Sequence, residues 1–305
     1  MTKVKTALKK NQHVTRLLVI MVIWMVFMAI TKFDKFYTFA NFKTIASQFP
    51  EFGLMSLGVM LCMTTGGNDL STVGTANFTA ICCAMLMTAM GGEAGVISAA
   101  TFPIFVVLAL VIGGIIGSFN GFLVSKMRVP AMLATMGVNE LMTGISIVMT
   151  GGAAYSDFPK GVTDFIGKDL FGVLPVRLLG TGEKVAIYSG MKTNRIFIRT
   201  YATSGMCSAL GGLLMLGTYA SARADYGSQY ILQSILIVVL GGVDPNGGRG
   251  KMSGVILAMV VLKMLEAGIN RFPQISSYYI SLIWGGVLIL TMVLDYITGD
   301  KRSRG

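Results

Sequence analysis

The chain has 305 residues, of which 53% are apolar and 13% charged, about half the charged share of a soluble domain. Too little charge is present to cover a globule of this size with polar surface, which excludes a water-soluble fold. The net charge of +11 gathers at the ends of apolar runs without interleaved aromatic residues, so it reads as the cytoplasmic flanks of membrane helices and excludes nucleic-acid binding.

A basic tail over 1–15, with Lys3, Lys5, Lys9 and Lys10, opens the chain. Because a transmembrane helix takes about 20 mostly apolar residues, nine runs qualify. They cover Arg16–Ile30, Gly53–Thr65, Val73–Met90, Ala99–Val124, Val129–Thr150, Ile198–Ala222, Gln229–Val243, Met252–Ile269 and Tyr278–Tyr296. The first has no small-residue cleavage site after it and is read as an uncleaved helix. The fold class is therefore all-α: a polytopic transmembrane helix bundle forming a single domain over 1–305, ending in a second basic tail at 298–305.

Topology follows from Lys and Arg. The N-terminal tail, Lys126-Met-Arg128, Arg249 with Lys251, and the C-terminal tail with Lys301, Arg302 and Arg304 all belong inside. Both termini inside demands an even number of crossings, yet nine is odd. The mismatch falls between Thr150, which exits outside, and Ile198, which enters from inside. In between, only Leu170–Leu179 is apolar, about half a span, and it holds Pro175 and Arg177.

Polar residues inside apolar runs are costly in lipid and mark candidate sites. Asn68, Asp69 and Ser71 follow Gly66-Gly67; they suit either a pathway-lining break between helices or a cap and turn at the membrane face. Asn139 and Glu140 sit near the middle of one run, where a carboxyl group should face the bundle or a water-filled path. Lys263 and Glu266, three apart, read as a self-neutralising pair or as part of an ion relay. Gly66-Gly-Asn-Asp69 and Gly241-Gly-Val-Asp244 form a weak internal echo. The polar, basic segment 181–199 suits either a plain connecting loop or docking to a soluble partner, with a short helix over Lys184–Ser189 stopped at Gly190.

Enzyme chemistry finds little support. His13 is the single histidine, which leaves no His-ligated metal site and no His base. Cys62, Cys82, Cys83 and Cys207 lie in apolar runs without metal or redox spacing and read as small buried hydrophobes. The string nearest to a phosphate loop, Gly247-Gly-Arg-Gly-Lys251, runs into Met252 and has the wrong glycine spacing. The chain is read as a non-enzyme with no cofactor, metal or catalytic residue, so energy for transport must come from a partner or an ion gradient.

Four blocks then resemble a known family, the permease subunits of ABC importers for ribose and related monosaccharides. They are Met63-Thr-Thr-Gly-Gly-Asn-Asp-Leu-Ser71; Asn120-Gly-Phe-Leu-Val-Ser-Lys-Met-Arg-Val-Pro130 with Ala134-Thr-Met-Gly137 and Thr150-Gly-Gly152; Gly182-Glu-Lys-Val-Ala-Ile-Tyr-Ser-Gly190 with Asn194; and Leu240-Gly-Gly-Val-Asp-Pro-Asn-Gly-Gly-Arg-Gly250 with Gly254. The resemblance implies a homodimer or a pair of permeases in the cell inner membrane. A separate ATP-binding subunit would drive it, and an extracytoplasmic sugar-binding protein would feed it. It implies a translocation pathway drawn from Asn68, Asp69, Ser71, Asn120, Asn139 and Glu140, and a cytoplasmic ATPase-coupling loop at 181–199 with Glu183, Lys184, Ala186, Ser189, Gly190 and Asn194. Such permeases have about ten crossings. Here Val173-Leu-Pro-Val176 runs almost directly into Arg177-Leu-Leu-Gly180, as if roughly one helix were deleted near Val176. The alternatives are an ion-coupled secondary transporter of a small polar solute and an impaired permease remnant.

Overall fold

The computed structural model describes residues 12–91, 101–156, 158, 193–245, 247–248, 250–272, 279, 282–287 and 289. The helices, in order, are α1 (Gln12–Thr31), α2 (Phe33–Phe36), α3 (Phe39–Thr64), α4 (Thr72–Gly91), α5 (Phe102–Ser125), α6 (Ala131–Thr150), α7 (Thr193–Tyr219), α8 (Tyr230–Leu240) and α9 (Met252–Ile269). Among the described residues there is no strand, only the isolated bridge Tyr155–Ala222. The all-helical expectation holds.

Nine spans are expected, and fewer are seen among the described residues. Among the described residues, six helices are long and apolar enough to cross a membrane: α1, α3, α4, α5, α6 and α9. The run at Gln229–Val243 yields α8, an 11-residue helix of about 17 Å, roughly half the hydrocarbon thickness. The run at Ile198–Ala222 yields α7, whose 27 residues reach about 40 Å. It is not among the six. α7 packs against α3, α4 and α5, and its buried Ser204 and Ser208 face protein. Most of Tyr278–Tyr296 lies outside the described residues.

α3 begins 14 positions before the apolar run at Gly53 that announced it. Thr38 accepts a hydrogen bond from Asn41 N (3.3 Å) and caps the helix, and Pro50 lies inside it. The early turns escaped the hydropathy reading because Asn41, Thr44, Gln48 and Glu51 interrupt the apolar pattern. Glu51 is nonetheless completely buried.

Glycine sets how closely the helices approach. Gly113, Gly117 and Gly121 recur every fourth residue on α5, so they share one face. A Cβ on Gly117 would overlap the Tyr201 carbonyl oxygen of α7, one on Gly113 the Gly205 carbonyl, and one on Gly121 the Ile198 Cα. The two helices therefore run antiparallel with backbone against backbone, as small residues permit in membranes. α7 makes similar close contacts with α3, where Gly58 meets Ser204, and with α4, where Gly212 meets Ala76. Two apolar cores flank it. One joins Phe52, Met55, Leu236, Val255 and Met259 across α3, α8 and α9. The other joins Ile81, Met87, Phe105, Leu213 and Leu216 across α4, α5 and α7.

These pairings sort the helix ends between two faces. The start of α7 lies beside the end of α5, on the face of Lys126. The end of α3, the start of α4 and the start of α6 meet on that side too, through Asn68, Leu70 and Thr135. α6 ends on the opposite face. There Tyr155 pairs with Ala222, just beyond α7, and its hydroxyl reaches Thr88 of α4 (2.9 Å). Residues 158 and 193 thus lie on opposite faces.

Gly117→Val should cost about 3 kcal/mol or more, because the obstacle is backbone and cannot move aside. Gly144→Ala should leave the fold unchanged, since a Cβ there meets nothing within 4 Å. Thermal unfolding of the two purified variants in one detergent checks the contrast.

Candidate functional site

The break between α3 and α4 begins with a glycine cap. Gly66 has φ of 78°, a left-handed conformation that glycine adopts without steric cost. Gly66 N donates to Met63 O (3.0 Å) and Gly67 N to Cys62 O (3.0 Å), the double closure of a Schellman motif. Room for the chain beyond requires a second glycine, because a Cβ on Gly67 would strike the Tyr201 hydroxyl. α8 ends the same way: Gly242 has φ of 84°, Gly242 N donates to Val239 O (2.9 Å) and Val243 N to Val238 O (3.2 Å). The echo in the sequence is therefore a shared cap, shifted by one residue so that Gly66 matches Gly242. The two ends also touch, with Gly248 N donating to Thr64 O (3.0 Å).

The residues after the cap are buried, Asp69 to 1% exposure, so this is not a turn at the membrane face. Asp69 Oδ1 accepts from Ser71 N (3.0 Å) and Ser71 Oγ (2.7 Å). Its Oδ2 accepts from Ser204 Oγ on α7 (2.6 Å). Ser71 Oγ in turn accepts from Asn120 Nδ2 on α5 (2.7 Å). The Asn68 carbonyl accepts from the Tyr201 hydroxyl (3.2 Å). Leu70 N donates to Thr135 Oγ1 on α6 (3.1 Å), and the single Thr135 proton has two carbonyls in reach, Ala131 O at 2.8 Å and Asn68 O at 3.3 Å. Asn139 Oδ1 accepts from Gly74 N (2.9 Å), one of the amides that the first turn of a helix leaves unpaired.

Five of the six pathway candidates, Asn68, Asp69, Ser71, Asn120 and Asn139, thus converge on one break and spend their polar groups largely on each other and on the backbone. Such a network locks helices together rather than offering a free polar surface. The sixth stands apart. Glu140 lies one residue beyond Asn139, about 100° around the helix, and is exposed; its Oε1 is 3.4 Å from Asn139 Nδ2. Around it Leu133, Met136, Leu141 and Val148 are exposed as well, and a Cβ on Gly137 or Gly144 would meet nothing.

Lys263 and Glu266 form the expected pair, Nζ to Oε2 at 3.0 Å, with Lys263 only 2% exposed. The ammonium also lies over the rings of Phe52 (4.5 Å) and Tyr230 (4.8 Å), which stabilises a desolvated cation. Of the coupling-loop candidates, Asn194 is exposed in the first turn of α7, on the Lys126 face. Glu183, Lys184, Ala186, Ser189 and Gly190, with the helix anticipated over Lys184–Ser189, lie outside the described residues.

Sequence reasoning missed Thr135, Tyr201, Ser204 and Glu51. Thr135 and Asn139 are four apart, and Tyr201 and Ser204 three apart, spacings that put each pair on one helix face. That periodicity was available as a signal. Which face met the break was not. Among the described residues no group of three metal-ligating side chains occurs.

The bundle and its interrupted, hydroxyl-rich centre define a polytopic membrane protein of transporter type. The family described as branched-chain amino acid transport system / permease component matches residues 41–171 and 171–292, most of the chain, and the chain belongs to it. Among curated proteins, it is similar to the autoinducer 2 import system permease protein LsrD of Escherichia coli (strain SMS-3-5 / SECEC) and of Shigella flexneri. Each is 27% identical over 278 residues, covering 81% of this chain and 81% of the relative. Those 278 aligned positions outnumber the residues that 81% of 305 supplies; the alignment crosses relative residues with no counterpart here, about one helix's worth. No solved structure matches.

Thr135→Val keeps the shape but leaves the partly buried Leu70 N without its acceptor. It should lower stability by about 1–3 kcal/mol, measured as a fall in the unfolding midpoint of the purified protein.

Proposed function

We propose that this chain is the transmembrane subunit of an ABC importer for a small polyhydroxylated solute. A separate ATP-binding subunit drives it, an extracytoplasmic binding protein loads it, and it works paired with a second permease. The family match over most of the chain carries this reading. The similarity to autoinducer 2 import permeases points the solute class toward small oxygenated molecules and away from apolar side chains. The chain itself performs no covalent step, and motion transmitted from the ATPase alternates access to the pathway.

The Lys126 face is the cytoplasmic one. Lys126, Arg128, Arg195, Arg199 and Lys251 gather there, and in sequence Lys3, Lys5, Lys9 and Lys10 precede α1, whose start lies on that side. That tail decides the orientation, because Lys32, Lys35, Lys43 and Arg271 crowd the other face. Asn194 then stands where a cytoplasmic ATPase can reach it, as part of a coupling loop over 181–199.

Glu140 is the pathway residue favoured by geometry. A carboxylate at mid-span cannot face hydrocarbon without a large cost, so the exposed face of α6 needs a polar or protein cover. A second permease seated there would place Glu140 beside the solute path between the two. The Asp69 cluster serves instead as the fixed point about which the helices move.

Near Val176 the chain lacks roughly one family helix, which the gapped alignment and the two-part family match both support. The opposite-face positions of residues 158 and 193 favour a crossing in between and hence a permease that keeps its topology over an impaired remnant. With Met191→Cys or Lys192→Cys, an impermeant thiol reagent should label the chain from the same side as Lys126→Cys. Labelling from the opposite side would instead mean that the segment fails to cross. In cells, solute uptake should vanish when the partner ATPase is deleted while ion gradients stay intact; persistent uptake would replace the importer with an ion-coupled carrier. Glu140→Leu should slow uptake by about tenfold or more, equivalent to ~1.4 kcal/mol, with unchanged membrane abundance.

A further inference from the structure

Away from the helix break, α3 and α9 carry polar stripes that face each other in the half of the bundle away from Lys126. α3 contributes Asn41, Thr44 and Gln48, spaced three and four apart on one face. α9 contributes Lys263, Glu266 and Asn270, followed by Arg271. Between them lies a cleft of about 90 Å³, room for about three waters. Two helices that merely sealed against each other in a membrane would meet through small or apolar residues. This pair instead keeps amides, a hydroxyl and charges around open space.

The cleft is braced from behind. The Arg271 guanidinium donates to Asn41 Oδ1, and Asn41 Nδ2 donates to Phe36 O (2.8 Å), so the mouth is held by the short α2 turn. At the floor, Lys263 is tied to Glu266. Glu51 follows Gln48 by three residues on α3, is fully buried, and accepts from the Tyr219 hydroxyl at 3.5 Å. Its other oxygen, and Arg271 Nε, are buried without a hydrogen-bond partner. Of the charged groups that line the cleft, Lys263 is paired with Glu266 and Arg271 donates to Asn41, so these charges are engaged within the chain. Charges already engaged within the chain, beside amides and a hydroxyl that can donate and accept, favour an uncharged ligand that can donate and accept at several atoms. Adjacent hydroxyls on one edge of a sugar or polyol do this, at the spacing of neighbouring waters.

We infer that the cleft between α3 and α9 is a binding subsite for an uncharged, hydroxyl-rich solute, separate from the Glu140 face of α6. The substrate class rests on the importer reading; the existence of the site does not. Solute held here would occupy the outer half of the bundle, between release by the binding protein and passage along the path.

The chain contains its own reporter. Trp24 Nε1 donates to Met264 O of α9 (3.1 Å), and its ring lies against Gly268, one turn from the cleft residues. With Trp284→Phe, Trp24 is the sole tryptophan. Purified full-length protein in detergent should show a saturable change in Trp24 emission with D-ribose in the millimolar range, and none with L-leucine. Gln48→Leu and Asn270→Leu should raise half-saturation by about tenfold or more; Thr203→Val, at an exposed position of α7 away from the cleft, should stay near the parent value. Thr44→Val, altered at an exposed position, supplies the same comparison if the leucine variants do not fold. A response that never saturates, or one equal in parent and cleft variants, overturns the inference. Phospholipid that co-purifies with the parent but not with Gln48→Leu, without a ribose response, overturns it too and assigns the cleft to a headgroup. Uptake that survives deletion of the ATPase would sink the importer reading alone and leave saturable binding at the cleft standing.

Discussion

Backbone-on-backbone contact between α5 and α7 is the constraint from which the rest of the bundle follows. Three glycines in register let backbone meet backbone along that seam, and lipid offers no hydrophobic drive to force such helices together otherwise. The contact places α7 in the middle of the bundle. Tyr201 and Ser204 then lie beneath the interruption between α3 and α4, where they hydrogen-bond Asn68 O and Asp69. Were α7 one side chain further away, the Asp69 carboxylate would keep only its local Ser71 bonds, and the break would be an unsatisfied gap in an apolar medium.

Polar chemistry inside this molecule is distributed by the same rule. Several polar groups surrounded by their own chain are paired: Asp69 with hydroxyls, Asn139 with a helix-start amide, Lys263 with Glu266 and two aromatic rings. Asn77 spends its amide on the carbonyls of Ala224 and Tyr226, which fastens the partly buried loop between α7 and α8 to α4. Glu140 and the α3–α9 cleft differ from these. One turns a carboxylate outward, and the other keeps charge and amides around open space. Unspent polarity in a membrane protein is where function concentrates, and both fit a permease that must meet a second subunit and a hydrophilic cargo.

Much of this was legible in advance. Glycine pairs before Asn68 and after Leu240 announced helix ends, and Lys263 with Glu266 announced their own neutralisation three residues apart. The parity of basic loops located a difficulty between Thr150 and Ile198 before any geometry was known, and the family match divides at residue 171, within the same stretch. Hydropathy misjudged the lengths of two elements for physical reasons. α3 carries six polar residues before its apolar run because its early turns face protein and the cleft, not lipid alone. α7 can be polar because other helices shield it.

Composition, charge and local spacing by themselves determined the solvent of this protein, its helical class, its breaks and its internal ion pair, because those depend on neighbours along the chain. Only the tertiary structure decided that Asn68, Asp69, Ser71, Asn120 and Asn139 form one lock, that Glu140 turns away from it, and that the polar faces of α3 and α9 look at each other. Those outcomes depend on which helix faces meet across the bundle. That choice is set by contacts between residues 49 to 230 positions apart, which no local pattern encodes.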